Sequence, residues 1–270
     1  MAAQATSEFI RLERHDGGVA LLRIDRPAKK NAMTYSMLHA FHAAIAEAAA
    51  DEGVRALVVA GSGGAFCAGT DLSELQDTDV SERGSRGASS GARPSGIARW
   101  PLLACPKPTI AAIDGVAVGM GAEFTSQCDV RIASDRTRIA WNFALRGLVP
   151  DTGAGSWLLP RLIGVQAALR LLYTGDFLTA EQALALGYVS AVVPTEQVEA
   201  EALALGAAMG KASPFAQRRM KALVYEGLQG GLDDHFARHD EAMAACFASE
   251  DHREGVASFL ERREANFTGR

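Results

Sequence analysis

IDGVAVGMGAEFTSQCD, residues 113–129, is the stretch that decides the fold. Its start overlaps a predicted strand, TIAAIDG at 109–115, and the glycines after this strand predict a turn that leads into a helix. Glycine lets a backbone approach a ligand closely, and the first N–H groups of a helix have no intrahelical acceptor. Glu123 falls near the start of this helix, where a carboxylate either favours the helix dipole or serves as a general acid or base. The stretch therefore predicts a strand–turn–helix unit that can stabilise negative charge.

The same alternation of strands and helices extends to both sides of this stretch. The elements predicted before it are a hairpin, a helix, a buried strand and a second glycine-rich turn, at residues 7–24, 34–50, 54–60 and 61–72. Strands and helices alternate to about residue 194, and helical patterns follow. We therefore expect an α/β fold with a core at residues 1–195 and a helical C-terminal region at residues 196–270.

Residues 77–96 differ in composition from the rest of the chain. They are rich in Ser, Gly and Arg and poor in apolar residues, which predicts a mobile surface loop. Because segments with regular patterns flank it, the loop is either an active-site lid or a disordered insertion.

Composition and charge argue against several classes of protein. The chain has 270 residues, of which 48% are hydrophobic and 22% charged, as in a soluble protein with a substantial core. Its net charge of −5 argues against a non-specific nucleic-acid binder. The four cysteines are scattered without metal-ligand spacing, and no apolar stretch predicts a signal peptide or a membrane span. We expect a cytoplasmic protein with reduced thiols and no metal site.

Several segments carry a resemblance to a known family. They are DRPAKKNA at 25–32, AFCAGTDL at 65–72, the opening stretch, GLVPD at 147–151 and LTA at 178–180. In this order they resemble the motifs of the enoyl-CoA hydratase/isomerase (crotonase) superfamily. The resemblance covers nearly the whole chain. It implies a crotonase-like superhelix of repeated β-β-α units with a C-terminal helical trimerisation region.

The resemblance also implies a substrate and an assembly. The expected partner is an acyl-CoA thioester, with no cofactor beyond the CoA moiety of the substrate and no nucleic acid or membrane. The expected assembly is a homotrimer or a dimer of trimers. Two backbone N–H donors can stabilise the charge that develops on the thioester oxygen. By resemblance these donors are the amides of Ala68 and Met120, one in each glycine-rich turn.

For the acid–base residues, the resemblance matches only one of the two glutamates that hydratases use. Glu123 falls on one of the two catalytic glutamates of the hydratases, whereas the place of the second falls on Phe143, which cannot transfer a proton. Asp151 lies where several relatives, including ring-opening and dienoyl-CoA isomerases and an aryl-CoA dehalogenase, carry a functional aspartate. Residues 150–153 also suit an ordinary turn and N-cap. We predict Glu123 and Asp151 as the acid–base pair and favour double-bond isomerisation.

Other functions stay open at this point. The main alternatives are hydration of an enoyl-CoA by Glu123 with Asp151 and acyl-CoA binding without catalysis. Thioester hydrolysis, decarboxylation, carbon–carbon bond cleavage and a structural oligomer without ligand are further alternatives. The phosphates of coenzyme A need cations, and Lys29 and Lys30 lie where relatives place a basic group. Ala68 of the first glycine-rich turn is also a predicted CoA contact. Phe259, Phe267 and Arg270 are predicted contacts at the adenine end, since C-terminal helices cover the adenine in relatives.

Three further side chains have structural interpretations. Asp71 is expected to cap a short helix after the first glycine-rich turn. Trp100 and Trp141 either line the acyl pocket or pack in the core.

Overall fold

The computed structural model describes residues 8–71, 73 and 96–270. The loop predicted at 77–96 lies outside the described residues except for Gly96, which begins a short 3-10 helix.

The described strands and helices follow the predicted alternation. The strands are Ile10–His15 (β1), Val19–Ile24 (β2), Ala56–Gly61 (β3), Ala65–Cys67 (β4), Thr109–Ile113 (β5), Val116–Val118 (β6), Val130–Ser134 (β7), Arg138–Ala140 (β8), Leu178–Thr179 (β9) and Ala191–Val193 (β10). The α-helices with described bounds are Tyr35–Ala50 (α1), Pro101–Ala104 (α2), Met120–Gln127 (α3), Ala154–Trp157 (α4), Leu159–Ile163 (α5), Val165–Thr174 (α6), Ala180–Ala185 (α7), Val198–Gly210 (α8), Pro214–Gly227 (α9), Leu232–Ala248 (α10) and Glu250–Glu261 (α11).

The strands form two sheets that share a repeated connection. The larger sheet has the order β1-β2-β3-β5-β7-β10, and the smaller has the order β4-β6-β8-β9. The pairs β3–β4, β5–β6 and β7–β8 each place their first strand in the larger sheet and their second in the smaller. The strands of these pairs are parallel to their neighbours in each sheet, so the chain must return to the same end between pairs. Helix α3 makes this return after β6, which confirms the predicted superhelix of β-β-α units.

Strand β3 shows how an apolar run fills both faces of the larger sheet. Leu57 and Val59 belong to the cluster that includes side chains of both sheets, α1 and α3. Val58 and Ala60 point to the opposite face and pack in a second cluster with Val198 of α8. Successive side chains of a strand point to opposite faces, so a strand covered on both sides needs a continuous apolar sequence.

Side-chain caps fix where two of the predicted helices begin. The Thr34 hydroxyl oxygen accepts a hydrogen bond from the Met37 N–H (3.1 Å) at the start of α1. Thr179 and Gln182 form a complete capping box at the start of α7. The sequence offers Thr34 or Ser36 as the cap of the first helix and a capping box at Thr179–Gln182 for the other, and the structure selects Thr34.

The C-terminal helices are anchored to the core by a polar cluster around Asp129. Its carboxylate accepts hydrogen bonds from the Lys221 ammonium (2.9 Å), the Tyr225 hydroxyl (2.9 Å) and the Thr109 N–H (2.8 Å). Lys221 and Tyr225 lie on α9, so this cluster joins that helix to β5 and to the loop before β7. The boundary predicted at 195/196 stays a prediction. Across the described residues, no helix combines the length and the apolar character that crossing a membrane requires.

Candidate active site

The first glycine-rich turn follows β4 and is held in place by the 25–32 segment. The fully buried Asn31 amide donates to the carbonyls of Ser62 (2.9 Å) and Ala65 (2.6 Å). The Arg26 guanidinium donates to the Asp71 carboxylate (2.6 Å), on the far side of the turn. Asp71 also accepts a hydrogen bond from the Ser73 N–H (3.0 Å), as expected of a helix-capping residue.

The second glycine-rich turn lies beside the first because of its glycines. Met120 begins α3, so its N–H has no intrahelical acceptor. A Cβ on Gly121 would overlap the carbonyl of Cys67, so only glycine allows α3 to start this close to the end of β4. From the other side, the position of a Cβ on Gly69 lies 3.7 Å from the Met120 nitrogen. The Met120 amide is therefore adjacent to the first turn.

The hydrogen bonds of the first turn argue against one predicted oxyanion donor. The Ala68 N–H donates to the Lys30 carbonyl (3.0 Å), so this amide is already engaged within the fold. The Thr70 N–H makes no hydrogen bond to any residue that the structure describes. The pairing of Met33 with residues 69–71 explains why the Thr70 amide is available. The Met33 N–H donates to Gly69 O, and the Met33 carbonyl accepts from the Asp71 N–H (2.8 Å each). The Thr70 N–H between these two bonds therefore points away from Met33.

Glu123 is fully buried in the first turn of α3, and both of its oxygens have donors. Oε1 accepts from the Gly155 N–H (2.7 Å) and Oε2 from the Thr152 hydroxyl (2.7 Å). A Cβ on Gly155 would overlap Oε1, so position 155 must be glycine for this contact. Thr152 and Gly155 were not predicted as partners of Glu123, because only the folded chain brings them together.

Burial raises the pKa of Glu123 to about 7. The hydrogen bond from Thr152 acts in the opposite direction and lowers the pKa, while the negative charge of Asp151 raises it. A carboxyl group with a pKa near neutrality can both accept and release a proton under physiological conditions.

Asp151 lies in a cleft of about 440 Å³ next to Glu123. Asp151 is exposed as a residue, but the cleft limits the solvation of its carboxyl group, and this desolvation raises the pKa of Asp151 to about 6. Burial also raises the pKa of the Cys67 thiol to about 12, and the Asp151 charge adds to that effect. Asp151 is thus within electrostatic range of both Glu123 and the end of β4, where the first turn begins.

The aromatic candidates fall into different environments. Phe143 is buried, and its ring lies against the second turn, with Cζ 3.8 Å from the position of a Cβ on Gly119. Trp100 lines the cleft. Trp141 is fully buried and packs edge-on against Tyr188 with ring centroids 5.3 Å apart. The two tryptophans therefore have different roles, one at the site and one in the core.

The predicted CoA contacts lie in two places. Lys29 and Lys30 are exposed on the turn that contacts Ala68, and neither ammonium forms an ion pair with a described residue. Phe259 (82% exposed) and the partly buried Phe267 line an apolar groove of about 480 Å³ beside α11. The backbone of Arg270 accepts a hydrogen bond from the Asp251 N–H (2.9 Å). The described contacts do not join this groove to the lysines.

Metal ligation has no candidate in the described part of the chain. Among residues 8–71, 73 and 96–270, no group of three His, Cys, Asp or Glu side chains is placed to hold a metal ion.

Comparison with known sequences supplies the family context for this geometry. A sequence model described as enoyl-CoA hydratase/isomerase matches residues 14–270. Crotonyl-CoA hydratase of Syntrophomonas wolfei is 34% identical over 262 residues, covering 96% of this chain and 98% of that protein. The 1,2-epoxyphenylacetyl-CoA isomerase of Escherichia coli is 32% identical over 263 residues, covering 97% and 99%. These relatives thus include both hydratase and isomerase names.

Comparison with solved structures agrees with the sequence relatives. The crystal structure of an enoyl-CoA hydratase from Bacillus anthracis superposes with a TM-score of 0.89 at 27% identity, covering 97% of this chain and 100% of that one. The superposition therefore includes the sheets, the two glycine-rich turns and the C-terminal helices.

Proposed function

The chain belongs to the enoyl-CoA hydratase/isomerase family, and we propose that it isomerises a carbon–carbon double bond in the acyl group of an enoyl-CoA thioester. It is an enzyme of that family, and its relatives act on CoA thioesters according to their names. One observation carries the proposal. Glu123 and Asp151 lie close to each other near the two turns and have raised pKa values, whereas the place of the second hydratase glutamate holds the buried ring of Phe143.

The thioester oxygen is stabilised by two backbone amides. We assign these donors as Met120 N–H and Thr70 N–H, because the Ala68 N–H already donates to Lys30 O. Removing a proton next to the thioester carbonyl places negative charge on its oxygen. Fixed N–H groups stabilise that charge without reorganising at the moment of reaction.

The proton moves between carbons of the acyl group. Asp151 is the mobile carrier, because its carboxyl group lies in the cleft, whereas Glu123 is held by two internal donors. With a 3-enoyl-CoA, the carboxylate of Asp151 takes the proton from C2, and the electron pair passes into a dienolate. The protonated Asp151 then returns the proton to C4, leaving the double bond between C2 and C3. Burial raises the proton affinity of Asp151, and Glu123 must be ionised to act with it as the second base of the pair.

Proton NMR in deuterium oxide tests this reaction with 2-enoyl-CoA and 3-enoyl-CoA as substrates. We expect the two thioesters to interconvert, with deuterium entering C2 or C4. Formation of 3-hydroxyacyl-CoA in place of interconversion would contradict isomerisation.

The variant Asp151→Asn tests the assigned carrier. We expect turnover to fall by about a hundredfold or more, because the amide cannot accept the proton. The matched control is Asp176→Asn, which changes an exposed aspartate after α6. Similar losses in both variants would contradict the assignment of Asp151.

Hydration is a second candidate, favoured by the names of relatives. Crotonyl-CoA hydratase and 2,3-dehydroadipyl-CoA hydratase are 34% and 32% identical to the chain. In this reaction Glu123 activates water and Asp151 protonates C2. The same NMR experiment separates it from isomerisation through its 3-hydroxyacyl product.

The CoA nucleotide is assigned to the Lys29–Lys30 turn. Both lysines are exposed on the turn whose Lys30 carbonyl accepts the Ala68 N–H, just after β4. The phosphates of CoA require such cations. These cations would contact the nucleotide and not the reacting carbons, so they would contribute to binding alone. We therefore expect the double variant Lys29→Gln, Lys30→Gln to raise KM and leave kcat nearly unchanged.

A homotrimer or a dimer of trimers accounts for the apolar surface of the C-terminal helices. Helix α10 has no buried residue, yet Leu232, Phe236, Met243 and Phe247 are exposed on it at helical spacing. Phe259 and Phe267 lie in the same region and would reach a CoA molecule only across such an interface. Light scattering should give a trimer or hexamer mass, and Phe236→Glu should lower it; a monomer in both cases would contradict this assembly.

A further inference from the structure

Two indole rings form walls of the cleft that contains Asp151. Trp100 and Trp157 are both partly exposed, and both pack on one small apolar cluster made by Leu103, Ala154 and Leu158. Both side chains therefore line one cleft and are supported by the same cluster.

The two rings are fixed before any ligand binds. The Trp100 Nε1–H donates to the Thr152 carbonyl (2.8 Å). The Arg161 guanidinium stacks on the Trp157 ring at 3.4 Å from its centroid. Side chains that are already ordered lose little conformational entropy on binding.

The cleft beside these rings is large enough for a compact ring-bearing group. The cleft measures about 440 Å³ and lies directly beside the Asp151 carboxyl group. A Cβ on Gly153 would meet no atom within 4 Å, so this wall is open. Aromatic faces and edges attract other rings more strongly than their buried area alone accounts for, and a flexible alkyl chain gains no such contact.

From these contacts we propose that the acyl group taken by this site carries a flat ring, which packs against Trp100 and Trp157 in the cleft. The inference rests on the proposed function, because it places the acyl group of a CoA thioester beside Asp151. It adds the chemical class of that group: a ring-bearing acyl chain is preferred over a straight one of equal carbon number.

Binding of two unreactive thioesters tests the preference without any need for turnover. The probes are 3-phenylpropanoyl-CoA and nonanoyl-CoA, which have equal numbers of acyl carbons and no double bond next to the thioester. Isothermal titration should show that the ring-bearing thioester binds more tightly. In Trp157→Leu, an apolar change that removes the ring, we expect the ratio of the two Kd values to fall by about fivefold.

Tyr173→Leu is the matched control, because it removes an exposed ring from α6 outside the cleft. It should leave the Kd ratio unchanged. If the wild-type chain binds nonanoyl-CoA as tightly or more tightly, the ring preference is wrong, whatever the variants do. If neither thioester binds, the proposed CoA function itself fails, which separates the two conclusions.

Discussion

Single residues decide the chemistry that the site can perform, and Glu123 is the clearest case. A buried carboxylate without donors would be costly, and Thr152 and Gly155 each supply one hydrogen bond. These bonds keep the pKa of Glu123 near 7, below the value that burial alone would give. Glu123 therefore remains able to ionise at neutral pH.

The variant Thr152→Val tests this balance. It keeps the shape of the side chain and removes the hydroxyl that donates to Glu123 Oε2. Since that hydrogen bond stabilises the charged form, its loss raises the pKa of Glu123 further. The acid limb of the pH profile of kcat/KM should then move to higher pH, and activity at pH 6 should fall more than activity at pH 8.

The control for this variant lies in the same loop. Ser156→Ala removes an exposed hydroxyl that donates to the Gly153 carbonyl and does not contact Glu123. It should leave the pH profile in place. Because Glu123 and Asp151 interact, each limb reports the pair. A profile of Thr152→Val that matches the wild type would show that Glu123 does not control the acid limb.

At the scale of an element, the position of helix α3 depends on the absence of a side chain at Gly121 in its first turn. The missing side chain of Gly121 lets the helix begin against the Cys67 carbonyl, and this approach brings the Met120 amide next to Gly69. Helical propensity alone disfavours this residue, because glycine costs about 1 kcal/mol relative to alanine inside a helix. The sequence therefore sacrifices helix stability for a close contact at the site.

Gly121→Ala should damage both folding and function. The added Cβ would overlap the Cys67 carbonyl and push α3 away from β4, so we expect a loss of about 2 kcal/mol in unfolding free energy. Turnover should fall by about tenfold or more, because the amide moves from its position. Urea denaturation and steady-state kinetics measure the two effects.

Gly255→Ala is the matched control, because Gly255 also lies inside a helix. A Cβ there would approach only the Phe267 ring, at 3.5 Å, which is an ordinary contact. This variant should be as stable as the wild type or more stable. Equal destabilisation of the two variants would contradict the role assigned to the close contact.

At the scale of the whole molecule, the C-terminal helices complete the site. Helix α9 is held by the Asp129 cluster, and Gln229, just after α9, lines the cleft together with Asp151. Tyr225 also packs on the cluster that supports Trp100 and Trp157. The C-terminal region is therefore connected through α9 to the cleft that contains Asp151.

Lys221→Met should loosen this connection. It leaves the Asp129 carboxylate without its cation, and we expect a loss of about 2 kcal/mol in stability for a partly exposed pair. Hydrogen exchange should accelerate in α9 and in the segment around Trp100, and not in β2 or β3. Lys211→Met, at an exposed position after α8, is the control and should change neither. Faster hydrogen exchange confined to the helical turn around position 221, without a change around Trp100, would contradict the connection between α9 and the cleft.

The β-β-α superhelix was expected only from the family resemblance. The sequence by itself determined the α/β class, the capping box at Thr179, and Glu123 as the carboxylate at the second turn. Each of these depends on residues close together in the chain, where spacing and backbone sterics act directly. It also indicated the family through motifs in order.

Only the tertiary structure decided which groups meet at the site. The Lys30 carbonyl accepts the Ala68 N–H, whereas the Thr70 N–H has no acceptor among the described residues. Thr152 and Gly155 donate hydrogen bonds to Glu123 from 29 and 32 residues away in the sequence. Trp100 lines the cleft while Trp141 is in the core. A hydrogen bond or a packing contact between distant residues depends on where the whole chain places them, and local sequence preference carries no record of that placement.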